Sequence, residues 1–280
     1  MTFLRSFYQG LPPSGQPGAG RVAAVIRLLD AETRARPVAR ILDLGCGDAA
    51  LTALVAARVP QATVVAVDWS SPCATAARGR GLPAVVAGVD ERGLPFPAAS
   101  FDIVLMNEVI EHLVDPDFAL DEAHRVLGPD GCLLLSTPNL AAWFNRLLLL
   151  AGVQPVFSEV SRLGIFGRPG HVVVGHLRLF TARALVEDLQ AHGFRPVMVT
   201  GAPYHDVPRI VQGLDRLIAR WPAAAAILVV RAAVGGPGGS PADPAGRRRR
   251  RRPRSDSPGC PGAGAGGAAG SGRRRPPPRR

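Results

Sequence analysis

The chain has 280 residues, 47% of them hydrophobic, which is enough for a sizeable core in one large or two small domains. Its formal charge of +11 is uneven: residues 235–280 carry 12 arginines against Asp243 and Asp256, so the rest is close to neutral, which weakens a nucleic-acid reading of the body. No lysine occurs anywhere, which excludes a Schiff base with pyridoxal phosphate and a P-loop lysine. Cys46, Cys73, Cys132 and Cys260 form no CxxC pair, which argues against a zinc ribbon or disulfide scaffold and suits a reducing cytoplasm. MTFLRSFYQGLPPSG lacks the apolar region of a signal peptide, and the longest apolar stretch, Ala223 to Val234, is too short for a span of about 20 residues. A cytoplasmic location and no membrane partner are therefore expected.

Along the chain, short β-branched runs alternate with longer Ala/Leu/Arg helical patterns, the signature of βαβ units. A helix is expected over Arg21 to Arg34, a strand over Arg40 to Leu44, a helix over Ala49 to Val59, a strand over Thr63 to Asp68, a helix over Pro72 to Arg80 and a strand over Ala84 to Ala87. The pattern continues with a strand over Phe101 to Asn107, a helix over Asp117 to Leu127, a strand over Cys132 to Thr137 and a helix over Leu140 to Ala151. Residues 152–180 are Gly/Pro-punctuated and longer than an ordinary connection, a candidate lid. A helix over Thr181 to His192, a strand over Pro196 to Thr200, a helix over Pro208 to Arg220 and a strand over Ile227 to Val230 close the series. The expected fold is a doubly wound, Rossmann-like α/β domain spanning residues 1–234, with a seven-stranded, mainly parallel sheet and helices on both faces. Residues 235–280, rich in Arg, Pro and Gly, have almost nothing to bury and are expected to form a disordered tail.

ILDLGCGD, Ile41 to Asp48, ends a buried strand and opens a helix. Gly45 and Gly47 remove the β-carbons that would block a ligand, and the helix start offers free backbone N–H groups. Asp68 ends the next strand about 20 residues on, where a carboxylate can accept from both ribose hydroxyls. Both features also fit a dinucleotide. Asp43, two residues before Gly45, separates the alternatives, because a carboxylate there repels a pyrophosphate and engages an ammonium group.

DxGCG, VDWS, GVDERGLPFPAASFD, NEVIEHL and HRVLGPDGCLLLSTPN follow one another from Ile41 to Asn139, and they resemble the successive motifs of class I S-adenosylmethionine-dependent methyltransferases. The resemblance implies S-adenosyl-L-methionine as cofactor. It implies that Asp43, Gly45 and Gly47 hold its methionine part and Asp68 the ribose, that Trp69 packs on the adenine, that Val89 lines the ring, that Asp90 meets the adenine amino group, and that Asn107 faces the sulfonium. Ala49 stands where the family often has a third glycine. STPNLAAWFNRLLLLAG and HLRLFTARALVEDLQAHGF are similar to segments of ubiquinone-biosynthesis O-methyltransferases and of methionine-biosynthesis-type proteins.

Glu108, Glu111 and His112 stand at i, i+3 and i+4, so a helix starting after Asn107 would put all three on one face, looking into the substrate pocket. With His176 the array resembles the metal site of small-RNA 3′-end methyltransferases. EVIEH also occurs in metal-free relatives, and the preferred reading holds no metal, with Glu108, Glu111, His112 and His176 as the set that would bind one. Methyl transfer from a sulfonium is an in-line displacement that needs a base only where the acceptor loses a proton. His112 is the first candidate base, since a neutral imidazole titrates near working pH, followed by Glu111 and His176. The expected activity is methylation of a small molecule, at a hydroxyl oxygen before nitrogen or carbon. The alternatives are a nucleic-acid methyltransferase tethered by the arginine-rich tail and an NAD(P)-dependent oxidoreductase.

Overall fold

A computed structural model of the chain describes residues 18–89, 93–161, 163–168, 173–204 and 207–235. Helix α1 (Ala19–Ala35) precedes β1 (Arg40–Leu44), α2 (Ala50–Arg58), β2 (Thr63–Asp68), α3 (Ser71–Gly79), β3 (Ala84–Val86) and β4 (Phe101–Asn107). A 3₁₀ turn (Ile110–His112), α4 (Pro116–Val126), β5 (Leu127–Pro138) and α5 (Trp143–Leu150) follow. After the 152–180 segment come α6 (Ala182–Ala191), β6 (Phe194–Ala202), a second 3₁₀ turn (Arg209–Val211), α7 (Gln212–Ile218) and β7 (Ile227–Val234).

The seven strands form one sheet in the order β3-β2-β1-β4-β5-β7-β6. Pairing is parallel from β3 through β5, and β7 runs antiparallel to both β5 and β6. The order reverses between β1 and β4, and the carboxyl ends of those strands bound the crevice where such sheets bind ligands.

Alternation along the strands sorts side chains to two cores. Ile41, Ile103, Leu105 and Leu134 pack with Val25, Leu29 and Val55 of α1 and α2. Leu42, Leu44, Val104, Met106 and Leu135 pack with Leu120, Ala123, Leu185 and Leu189 of α4 and α6. Asp43 and Asn107, in phase with Ile41 and Leu105, therefore belong to the α1/α2 side.

The expected elements are present, with shifted ends. β5 starts at Leu127, but its ladder with β4 jumps from Phe101–Leu127 to Ile103–Cys132. The GPDG sequence between makes that irregularity, and regular pairing begins at Cys132, where the periodicity placed it. The helix expected from Leu140 starts at Trp143, because the Asn139 side chain accepts from Ala141 N and Asn139 itself bridges Phe180. The helix expected from Pro208 is a 3₁₀ turn followed by two turns of α7.

The described part of the 152–180 segment is tied to the body. Asn145 bonds both N–H and C=O of Val156, and Leu177 N and Arg178 N donate to Glu111 O, while Gln154 N donates to Gly167 O within the segment itself. The Arg178 guanidinium donates to Leu113 O and Val114 O.

Candidate active site

After Leu44 the chain turns through Gly45 at φ +75° and Gly47 at φ +54°. A β-carbon on Gly45 would come within 2.5 Å of Val109 Cγ2, so that glycine lets the turn lie against the segment after β4. One on Gly47 would meet nothing within 4 Å, so its missing side chain leaves open space over the turn. Ala49 also has positive φ, +58°, and is fully buried, an arrangement glycine adopts without steric cost.

Asp68 fastens this turn to β2. Its Oδ2 accepts from Gly47 N at 3.0 Å and its Oδ1 from Ser70 N at 2.8 Å. Burial raises its carboxyl above the usual range, against the pull of those two donors. Each oxygen keeps a second lone pair for a hydroxyl donor.

Asp43 lies under the turn, 2% exposed, with Thr52 Oγ1 donating to its Oδ2 at 2.6 Å. Burial pushes this carboxyl up to about 6; the Asp68 charge adds to the rise, while Thr52 and Arg21 oppose it. Asn107, two residues beyond the partner of Asp43 in β4, has both amide atoms buried and, among the described residues, no hydrogen-bond partner for either. Trp69 is half-buried after β2 and Val89 is buried in the core. Asp90 lies outside the described residues.

EVIEH does not form the helix that its spacing suggests. Glu108 takes φ +54°, outside any helix, and only Ile110–His112 make a 3₁₀ turn. Glu108 and Glu111 consequently go to different places. Glu108 Oε1 accepts from Ser136 Oγ at 3.0 Å and stands 4.0 Å from Arg21 Nε, whereas Glu111 Oε2 accepts from Thr137 Oγ1 at 2.9 Å. Ser136 and Thr137 are successive residues of β5 and project to opposite faces of the sheet, which separates the two acids.

Glu111 is fully buried, its Oε1 has no hydrogen-bond partner among the described residues and lies 3.9 Å from His112 Nε2, and its carboxyl is held well above the usual range by burial, with Glu108 adding. The His112 and His176 rings lie beside it, their centroids 4.8 Å apart. His112 Nδ1 is 3.2 Å from Gly175 O and His176 Nδ1 is 2.8 Å from Phe157 O. A carbonyl only accepts, so each Nδ1 carries the proton and each lone pair is on Nε2. One ligand atom from each of Glu111, His112 and His176 lies within 4.8 Å of the others, and Glu108 is not in that group. Burial, then His176, lowers His112 to about 4, so it stays neutral through the neutral range instead of titrating there as expected. Phe157 also stacks edge-on with Tyr204 at 5.0 Å, walling this side of the site.

Residues 20–199 match a family model described as a methyltransferase domain. The chain belongs to the class I S-adenosylmethionine-dependent methyltransferases.

Among relatives of this methyltransferase, the trans-aconitate 2-methyltransferase of Methylobacterium radiotolerans is 28% identical over 62% of the chain and 80% of the relative. The malonyl-[acyl-carrier protein] O-methyltransferase of Geobacter sulfurreducens is 40% identical over 64% of the chain and 66% of the relative. The structure of the N-methyltransferase NodS from Bradyrhizobium japonicum, in complex with S-adenosyl-L-homocysteine, superposes with a TM-score of 0.52 at 14% identity, over 83% of this chain and 97% of that one, a likeness of fold. The enzyme's cofactor is S-adenosyl-L-methionine, and the residues fit it chemically: an open glycine turn, a buried carboxyl disposed toward a cation, a second carboxyl with spare lone pairs, and a buried amide with no hydrogen bond among the described residues.

Sequence reasoning missed Arg21, Thr52, Ser136, Thr137, Phe157 and Tyr204 at this site. Thr52 alone carried a local signal, a polar residue on the core-facing side of a helix that is otherwise Ala, Leu and Val up to its terminal Arg58.

Proposed function

We propose that this methyltransferase transfers the methyl group to a hydroxyl oxygen of a small molecule, with His112 receiving the hydroxyl proton. In that reading Asp43 meets the ammonium of the cofactor, Gly45 and Gly47 give its methionine part room, Asp68 takes the ribose hydroxyls, Trp69, Val89 and Asp90 surround the adenine, and Asn107 faces the sulfonium. The carrying observation is the His112–His176 pair, whose Nδ1 groups are both occupied by backbone carbonyls, so that Nε2 is the accepting nitrogen. A base lowered to about 4 suffices here. The hydroxyl becomes strongly acidic as the C–O bond forms, and the proton leaves late in the displacement. Glu111 and His176 hold the imidazole in place and shape the acceptor pocket. The relatives' named acceptors, trans-aconitate and a malonyl group on acyl carrier protein, make a carboxylate oxygen the nearest variant, one already ionised and so in no need of the His112 base.

One observation favours a second reading. Oε1 of Glu111, without a hydrogen bond among the described residues, forms with His112 and His176 a set suited to a divalent cation of the zinc or manganese kind. A nucleic-acid acceptor would depend on residues 235–280, all of which but Gly235 lie outside the described residues, and the oxidoreductase alternative falls with the family assignment. We place the activity in the cytoplasm; among the described residues no helix is long and apolar enough to cross a membrane.

Labelled S-adenosylmethionine and cell extract, with products identified by mass, test the reading. His112→Ala should lower kcat about 10²- to 10⁴-fold with little change in cofactor affinity, and chelation should leave the wild type active. Inactivation by chelation and by Glu111→Ala, reversed for the wild type by one added metal, would instead establish the cation. Product methylated on nitrogen or carbon would overturn the hydroxyl assignment.

A further inference from the structure

Beyond the sheet edge, Ile210, Leu214, Leu217 and Trp221 recur at helical spacing through the second 3₁₀ turn, α7 and the turn that follows. All four are exposed, Ile210 at 93% and Trp221 at 57%. A folded surface rarely leaves four large apolar side chains in one stripe to water unless something covers them. The charges in this segment are one-sided. Asp215, the one acid among the described residues 207–223, is 1% exposed and consumed by Trp143 Nε1 at 2.8 Å and Tyr204 N at 2.7 Å. Arg209, Arg216 and Arg220 point outward.

Arg216 and Arg220 meet Arg27 of α1 around an open cleft of about 270 Å³, floored by Gly20, Gly201 and Ala219. None of these three guanidiniums has an ion pair or hydrogen bond among the described residues, whereas Arg36, Arg58, Arg125, Arg183 and Arg231 are all paired with carboxylates. Three unpaired cations around one concavity call for an anion, and the adjoining stripe calls for an apolar medium.

We propose that this face docks on an anionic lipid surface, with Ile210, Leu214, Leu217 and Trp221 entering the headgroup boundary and Arg27, Arg216 and Arg220 receiving lipid phosphates. An interfacial helix with Trp and Leu on one side and arginines beside them has the required composition. A second copy fits poorly, since two-fold pairing would set Arg216 and Arg220 against their own counterparts. Nucleic acid supplies phosphates but nothing to bury the stripe. The face follows β6 at the carboxyl-end side of the sheet, where the active site lies, so docking would turn the site's rim toward the bilayer. The inference does not depend on which atom is methylated.

The test uses the full chain and phosphatidylcholine vesicles with and without phosphatidylglycerol, read by flotation and by quenching of tryptophan emission with brominated acyl chains. The arginine-rich residues 235–280 contain no tryptophan and can add electrostatic binding but no quenching. Wild-type protein should float with anionic vesicles and be quenched. Ile210→Asp with Leu217→Asp should abolish quenching while leaving the unfolding midpoint and cofactor affinity unchanged, since both residues are exposed. Arg216→Glu with Arg220→Glu should weaken partitioning at least about 25-fold, each arginine being worth about fivefold at an anionic surface. Trp221→Phe should float normally with less quenching. Absence of quenching in the wild type, equal binding to neutral vesicles, or unchanged quenching in the Asp double variant would overturn the proposal. So would a wild-type dimer that the same double substitution dissociates.

Discussion

Asp43 shows how one buried carboxyl can link protonation, stability and ligand affinity. Held at about 6 by burial, it binds its proton more tightly in the folded chain than in the unfolded one, so the free protein loses stability as pH rises from about 4 to 6. Above that range its charge is present and available to an ammonium. Cofactor affinity should therefore fall about tenfold between pH 7 and pH 5, measured by calorimetry. Asp43→Asn should bind more weakly at pH 7 and lose most of that dependence. Thr52→Val, which deletes the 2.6 Å donor, should move the midpoint upward. A flat profile in the wild type would mean that Asp43 does not meet the ammonium. The Asp43–Gly45–Gly47 motif was legible because all its parts lie within five residues, but Thr52 and Arg21 were not, since only the packing of α1 and α2 on β1 brings them there.

At the level of elements, two glycines separate close packing from open surface. A β-carbon at Gly201 in β6 would lie 2.3 Å from both Ala219 O and Ala225 Cβ, neither of which can swing aside. Gly201→Ala should cost about 1–3 kcal/mol and lower the thermal midpoint by several degrees. Gly79, at the end of α3, would meet nothing within 4 Å, and Gly79→Ala should stabilise by about 0.5 kcal/mol. Thermal unfolding of both variants checks the opposite signs. The EVIEH segment marks where local pattern stopped being informative. The i, i+3, i+4 spacing of Glu108, Glu111 and His112 reads as one helical face, but Ser136 and Thr137, more than 20 residues later, each draw one acid to their own side of the sheet.

For the whole molecule, β7 closes the sheet and sets where the chain can be cut. Its ladder with β6 ends at the Phe194–Val234 pair, and Gly235 N donates to Gly193 O at 2.9 Å. A chain ending after Gly235 keeps every strand pairing among the described residues, so its thermal midpoint should stay within about 2 °C of the full length, with cofactor affinity unchanged. A larger loss would mean that the domain extends past residue 235. The sequence by itself determined the alternation of strands and helices, the glycine turn with its two acids and the family, because each depends on residues close together in the chain or on motifs in a set order. The tertiary structure alone decided which residues share the site: His112 faces His176 from 64 positions away, Phe157 and Tyr204 wall it, Arg21 reaches Glu108, and the cations of α1 and α7 converge on one cleft. Those meetings follow from strand order and from the face each residue takes in the sheet, and neither quantity is carried by local spacing.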